Sequence, residues 1–171
     1  MSQALRGVEM EEYDAVVVGG GCAGTSAAFF LKEYRPDMNV LLIDRLDGKR
    51  FDFYHRMCGE AVSEDAFREL RPLRAEHVVH DINFVEERWP GGVVMGIRHR
   101  GYIVDRPRLL RSIQDRFLSR GGVLERDAAL SVRRENGRYL IGCSSGRTIA
   151  SRFLIGADGV NSRVRRDVFG T

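Results

Sequence analysis

The sequence predicts an α/β fold: a parallel sheet built on an N-terminal βαβ unit, with a β-hairpin added further along. Three observations carry that expectation. A short apolar run, Asp14-Ala-Val-Val-Val18, stops at Gly19-Gly20-Gly21. A stretch of small and apolar residues, Cys22 to Tyr34, follows it. A second apolar run, Asn39-Val-Leu-Leu-Ile43, comes next. Continuous apolar runs of this length suit strands buried on both faces, and strand, helix and strand within about thirty residues make a βαβ unit.

The other elements follow from local signals. Residues 1–12 are polar and expected to be frayed and disordered. Arg35-Pro36 ends the first helix, because the residue before a proline avoids the α region. Asp44 to Gly59 reads as a long polar and aromatic loop. Ser63 is placed as the N-cap of a helix reaching Leu70. His80 to Tyr102 has β character with a turn at Pro90-Gly91-Gly92. Tyr102-Ile-Val104 leads into a helix from Pro107 to Ser119, with proline in its first turn and Gly121-Gly122 as its stop. Val123 to Arg134 reads as a strand region. Arg138 to Cys143 and Arg147 to Ile155 form a hairpin around Ser144-Ser145-Gly146, and a short helix starts at Asn161 or Ser162. Residues 13–171 are expected to form one domain without a linker.

Composition narrows the function classes. The chain has 171 residues, 43% hydrophobic and 30% charged, a globular balance that argues against disorder. Its net charge is +3, and all but Lys32 and Lys49 of the 27 basic residues are arginine. Acidic residues are interspersed among them, so no basic stripe points to nucleic acid. Arg163, Arg165 and Arg166 read as one face of a helix. Cys22, Cys58 and Cys143 lack metal-ligand spacing, so no metal is expected, and their odd number fits a reducing cytoplasm. Glu9, Glu11 and Glu12 are unlike a secretion signal, and Ala15 to Leu31 is too short and glycine-rich for a membrane span of roughly 20 residues.

The chemistry enters at the glycines. Gly19, Gly21 and Gly24 form G-x-G-x-x-G between the first strand and the first helix, and Asp44 ends the second strand at the ~20-residue spacing of a ribose-binding carboxylate. Gly19 permits the tight turn. Gly21 lets a pyrophosphate approach the backbone, and Gly24 lets the helix pack closely on the strand. The helix N-terminus, with Ala23 in its first turn, then faces the phosphates. Asp44 would accept hydrogen bonds from the ribose hydroxyls and repel a 2′-phosphate. This is a Rossmann-like dinucleotide site, which by itself does not choose between NAD and FAD.

A second motif makes the choice. Phe153-Leu-Ile-Gly-Ala-Asp-Gly-Val-Asn-Ser162 resembles the G-A-D-G-x-x-S signature of FAD-dependent oxidoreductases like p-hydroxybenzoate hydroxylase and geranylgeranyl reductase. His55-Arg-Met-Cys-Gly-Glu-Ala-Val-Ser63 is similar to the C-G-[EG] segment of geranylgeranyl reductases. Tyr102-Ile-Val-Asp-Arg106-Pro-Arg-Leu-Leu110 resembles their R-x-x-F-D pattern, with Leu110 in place of the aspartate. The resemblance implies a flavin-binding domain that is the N-terminal portion of a longer protein, lacking a C-terminal half. It implies FAD contacts at Cys58, Gly59, Ala61, Arg106, Asp158 and Gly159, and contact near the adenine at Ala129. It implies hydride transfer from reduced flavin to a polyprenyl double bond.

Tyr54, His55 and Glu60 are the candidate proton donors, although loop packing accounts for Tyr54 and His55 as well. A hydrophobic isoprenoid substrate implies contact with a membrane surface from the cytoplasmic side. The electron donor, NAD(P)H, ferredoxin or another, is open. Two other readings stand beside this one: a flavin monooxygenase or halogenase on the same scaffold, and a non-catalytic FAD-binding half of a split protein.

Overall fold

The computed structural model describes residues 10–170; residues 1–9 of the segment expected to be frayed lie outside them. Of the described residues, those up to Gly48 and from Ile113 onward form one compact unit, and Lys49–Ser112 form a second. The first unit opens with β1 (Glu11–Val18), α1 (Cys22–Tyr34) and β2 (Val40–Ile43). The second holds α2 (Gly48–His55, beginning at the boundary), β3 (Ala61–Ser63), α3 (Glu64–Glu69), β4 (Val78–Ile82), β5 (Val85–Arg88), β6 (Val94–Ile97) and β7 (Gly101–Val104). Helix α4 (Arg106–Ser119) carries the chain back, and β8 (Val123–Glu125), β9 (Ala129–Glu135), β10 (Arg138–Cys143), β11 (Thr148–Gly156) and α5 (Arg163–Phe169) complete the first unit.

The expected α/β architecture is present. One six-stranded sheet runs β8-β2-β1-β11-β10-β9. Strands β8, β2, β1 and β11 are mutually parallel, and β10 pairs antiparallel with both β11 and β9. β1 starts at Glu11, two residues inside the segment expected to be frayed, because Glu11 and Glu12 pair with Ile149 and Ala150.

The region read as one strand from Val123 to Arg134 is two strands, β8 and β9, on opposite edges of this sheet. Only Arg126, Asp127 and Ala128 join them. A flat six-stranded sheet would set its edges roughly 24 Å apart at ~4.8 Å per strand, whereas such a link reaches only ~14 Å. The sheet therefore curls. Val132 of β9 and Ile141 of β10 accordingly share a core cluster with Val16, Val18, Leu41 and Ile43. The alternate residues Ala15, Val17, Val40 and Leu42 pack on the other face with Ala28 of α1 and Phe117 of α4. Both faces of β1 and β2 are thus buried, which is why their sequences are continuously apolar rather than alternating.

The link is pinned by side chains. Asp127 is buried, and its carboxylate accepts from Ser144 Oγ and Ser145 Oγ at 2.5 Å each and from Ala128 N at 2.7 Å. Burial opposes its ionisation, but these hydrogen bonds outweigh that and hold its pKa at about 2. Arg147 ties the same corner together, donating to Glu11 at 2.8 Å and to Glu125. Burial raises the Cys143 thiol to about 11, and the nearby Asp127 charge adds to the shift.

In the second unit, β3, β7 and β4 form a three-stranded antiparallel sheet and β5 and β6 form a hairpin. The hairpin turns at Pro90-Gly91-Gly92 as expected, and Ser63 caps α3 by accepting from Asp65 N at 3.2 Å. The stretch from Asp44 to Gly59 is not all loop: α2 occupies Gly48–His55. Its apolar residues are few, but Phe51 and His55 fall four apart, on one face, and both are buried with their rings 4.3 Å apart. The motif reading had no period to work with over so short a helix. Trp89, Val93, Val94, Met95 and Ile97 are exposed along the hairpin.

Candidate cofactor-binding site

The glycine turn sits between the end of β1 and the start of α1. Gly19 has φ 104°, a conformation other residues rarely adopt, and a Cβ there would run into the Ala157 carbonyl. Gly24 faces the Gly19 carbonyl oxygen so closely that any side chain would collide with it. Gly21 is the N-cap of α1 in an extended conformation, with no side-chain capping bond, and Cys22 and Ala23 of the first turn are exposed. The first-turn N–H groups of a helix have no intrahelical partners, so this end offers donors and a positive dipole end to an anion.

Asp44 stands where the sequence puts it, directly after β2, and is 5% exposed. Its backbone N–H bonds the Glu125 carbonyl at 2.9 Å, fixing it beside the end of β8. Oδ1 accepts from Leu46 N at 3.2 Å and Oδ2 from Arg126 Nη1 at 3.1 Å. A Cβ on Gly20 would lie 2.5 Å from Oδ2. The middle glycine is therefore required by the carboxylate, a role that the G-x-G-x-x-G pattern leaves unassigned. Gly20, the extra glycine inside the Gly19-Gly20-Gly21 run, is the available signal.

Residues that no motif marks complete the site. Thr25 Oγ1 donates to Gly20 O at 2.9 Å. Gln114 of α4, 2% exposed, donates through Nε2 to Thr25 Oγ1 at 3.3 Å and to Gly20 O at 3.4 Å. Its Oε1 accepts from Arg126 Nη2 at 3.2 Å. One hydrogen-bonded chain thus runs from the glycine turn through Gln114 and Arg126 to Asp44. Ala129, expected near the adenine, opens β9, paired with Cys143. Arg126, three residues earlier, is the residue the structure brings against Asp44.

The G-A-D-G-x-x-S segment has a clear structural logic. Ala157 N donates to Val18 O at 2.8 Å, which lays the segment against the glycine turn. Asp158 accepts from Ser162 Oγ at 2.6 Å, Arg163 N at 2.5 Å and Val164 N at 3.2 Å, and Ser162 Oγ accepts from Arg165 N at 2.9 Å. Aspartate and serine thereby cap α5 together. Gly159 has φ 79° and open space around it.

In the second unit, Arg106 gathers the remaining candidates. Its Nη1 donates to Cys58 Sγ at 3.1 Å, its Nε to the His55 carbonyl at 2.7 Å, and its N–H to Glu60 Oε1 at 3.2 Å. Glu60 adopts φ 57°, a left-handed conformation uncommon for such a residue, and Glu60 N bonds Cys58 Sγ at 3.3 Å. Cys58, Gly59 and Ala61 are exposed. Of the proton-donor candidates, His55 is buried against Phe51, Tyr54 is exposed, and Glu60 is engaged by Arg106. Among the described residues no group of three His, Cys, Asp or Glu could hold a metal ion. None of their helices is long and apolar enough to cross a membrane.

The fold and the turn define a dinucleotide-binding α/β protein. The lycopene cyclase protein family matches residues 14–170, and the chain belongs to that family. It is 32% identical over 112 residues to a digeranylgeranylglycerophospholipid reductase of Sulfolobus acidocaldarius, covering 61% of this chain and 24% of the relative. It is 29% identical over 168 residues to a geranylgeranyl diphosphate reductase of Rhodobacter capsulatus, covering 94% of this chain and 41% of the relative. A geranylgeranyl bacteriochlorophyll reductase-like structure from Thermoplasma acidophilum superposes with TM-score 0.72 at 23% identity, over 88% of this chain and 40% of that one. The halogenase PltM, solved with phloroglucinol and FAD, superposes with TM-score 0.70 at 15% identity, over 91% of this chain and 36% of that one. The chain spans less than half the length of each of these proteins.

Proposed function

We propose that this chain is the FAD-binding portion of an oxidoreductase that saturates isoprenoid double bonds, as the named reductase relatives do on geranylgeranyl groups. The observation that carries the reading is the cradle itself: a turn in which Gly19, Gly20 and Gly24 have no room for side chains, a helix N-terminus without a side-chain cap, and a buried carboxylate against Gly20. The cofactor is FAD. Gly19 to Gly24 take its pyrophosphate and Asp44 its adenosine ribose. By resemblance, Cys58, Gly59, Ala61 and Arg106 attend the flavin end.

When bound and reduced, the flavin supplies the hydride. The protein's own part is to bind and orient the cofactor, and Arg106 holds the Cys58 segment in shape for that. The substrate is an apolar polyprenyl chain, met at a membrane surface by a protein acting from the cytoplasm, and NAD(P)H, a ferredoxin or another donor supplies the electrons. A monooxygenase or halogenase reading shares this fold, and NADPH-dependent oxygen consumption separates the two.

The test is a titration of the purified chain with FAD, followed by flavin absorbance and its bleaching under dithionite. Asp44→Ala, which removes charge-assisted ribose contacts of about 1.5–3 kcal/mol, is expected to weaken binding by roughly 10- to 100-fold. Unchanged affinity would remove Asp44 from the site.

A further inference from the structure

Asp44 poses a physical problem. Its side chain is 6% exposed, and a buried carboxylate is costly unless it is paired and hydrogen-bonded. The cation that answers it is Arg126, whose Nη1 lies 3.1 Å from Oδ2 and also donates to the Leu46 carbonyl at 2.8 Å. Its Nη2 reaches Gln114, whose other end bonds the Gly20 carbonyl and Thr25. The guanidinium is thus held by three acceptors on two segments, the loop after β2 and helix α4, and its planar fork presents fixed donors to each. Gly20 lies close to the same Oδ2, so close that a Cβ on it would come within 2.5 Å. The carboxylate thus meets both a backbone position that admits no side chain and the Arg126 guanidinium.

We propose that Arg126 is a positioning residue for the adenosine half of the cofactor. It holds the Asp44 carboxylate in the orientation that accepts the ribose hydroxyls, and it couples that carboxylate through Gln114 to the glycine turn that takes the pyrophosphate. The inference rests on the FAD reading above and deepens it. Each carboxylate oxygen has two lone pairs, so Asp44 can accept from Arg126 and from a ribose hydroxyl together. Ribose and pyrophosphate are then recognised by one preorganised network, which reduces the ordering cost of binding. Lysine, a point charge with a flexible stem, can pair with Asp44 but cannot hold Leu46 and Gln114 in the same plane.

The test measures FAD and ADP affinity for the 171-residue chain and its variants by titration. Arg126→Ala is expected to weaken both ligands by about tenfold, and Arg126→Lys to recover part of the loss. The diagnostic readout is the double variant. If Arg126 acts through Asp44, then Arg126→Ala in an Asp44→Ala chain should cost less than about twofold more. A general loss of structure would instead add to the Asp44→Ala effect. Should Arg126→Ala fail to fold, Arg126→Lys and Gln114→Glu, which places a second carboxylate on the guanidinium, keep the question open to measurement. Wild-type affinity in Arg126→Ala, or equal costs in both backgrounds, would overturn the inference and leave the FAD reading standing. A wild-type chain that binds neither FAD nor ADP would remove the reading and the inference with it.

Discussion

Gly24 in the first unit and Gly96 in the second would each receive a Cβ badly, but the atoms in the way differ. At Gly24 the obstacle is the Gly19 carbonyl, a backbone atom held by the turn that makes the cradle. At Gly96 it is the ring of Phe84, a side chain that is 57% exposed. The first glycine is fixed by a non-bonded backbone contact and the second by a ring with room to swing. The first unit buries both faces of β1 and β2 and links its polar groups in chains, whereas the second carries a hairpin whose large apolar side chains are exposed. Rigidity is concentrated where a phosphate must meet a backbone.

Substitution gives the sharpest test of this contrast. Gly24→Ala is expected to cost about 3 kcal/mol or more, because α1 must move away from β1, and to abolish FAD binding. Gly96→Ala is expected to cost under ~1 kcal/mol, since Phe84 can yield and alanine restricts the unfolded chain more than glycine does. Urea denaturation of the two variants measures both. Similar losses would mean that the hairpin is as tightly determined as the cradle.

Acid probes the corner that curls the sheet. Asp127 has its pKa held at about 2, below the ordinary 3.8. A depressed carboxylate contributes its full stabilisation above the unfolded value and loses it as pH falls from about 4 through about 2. That window is expected to cost the wild-type chain on the order of 1–2 kcal/mol more than it costs Asp127→Asn. Urea midpoints at pH 5 and pH 2.5 give the comparison, and parallel declines would mean that the serine hydrogen bonds do not favour the ionised form.

The same contrast explains what could be read from the sequence. The βαβ unit was legible because both of its strands are buried on two faces and stop at glycines, and α1 runs over the expected Cys22–Tyr34. The hairpin between β10 and β11 was legible from Ser144-Ser145-Gly146. Asn136-Gly137, a two-residue turn with φ 50° and 78°, carries an equally plain signal for the β9–β10 hairpin. The split of residues 123–134 into strands on opposite edges has no local signal, because it depends on the sheet curling. Gln114 and Arg126 escape for the same reason: each meets the glycine turn or Asp44 only through tertiary structure. Helix α2 is not legible in the sequence, because one buried face of two residues gives too little periodicity.

The smallest effect separates burial from pairing inside the first unit. Thr25 and Ser151 are both fully buried hydroxyl residues. Thr25 donates to the Gly20 carbonyl, whereas Ser151, in β11 beside Tyr13 and Tyr139, leaves its Oγ without a hydrogen bond. A hydroxyl buried without a partner costs about as much as a hydrogen bond contributes. Thr25→Val is therefore expected to lose about 1–2 kcal/mol, while Ser151→Ala is expected to be neutral or to gain up to ~1 kcal/mol. Thermal melts with and without FAD distinguish them further: only the Thr25 variant should also weaken the cofactor, because only Thr25 belongs to the chain that ends at Asp44. A clear loss of stability in Ser151→Ala would mean that its hydroxyl has a partner in solution, and that satisfied polar groups extend through the sheet beyond the cradle.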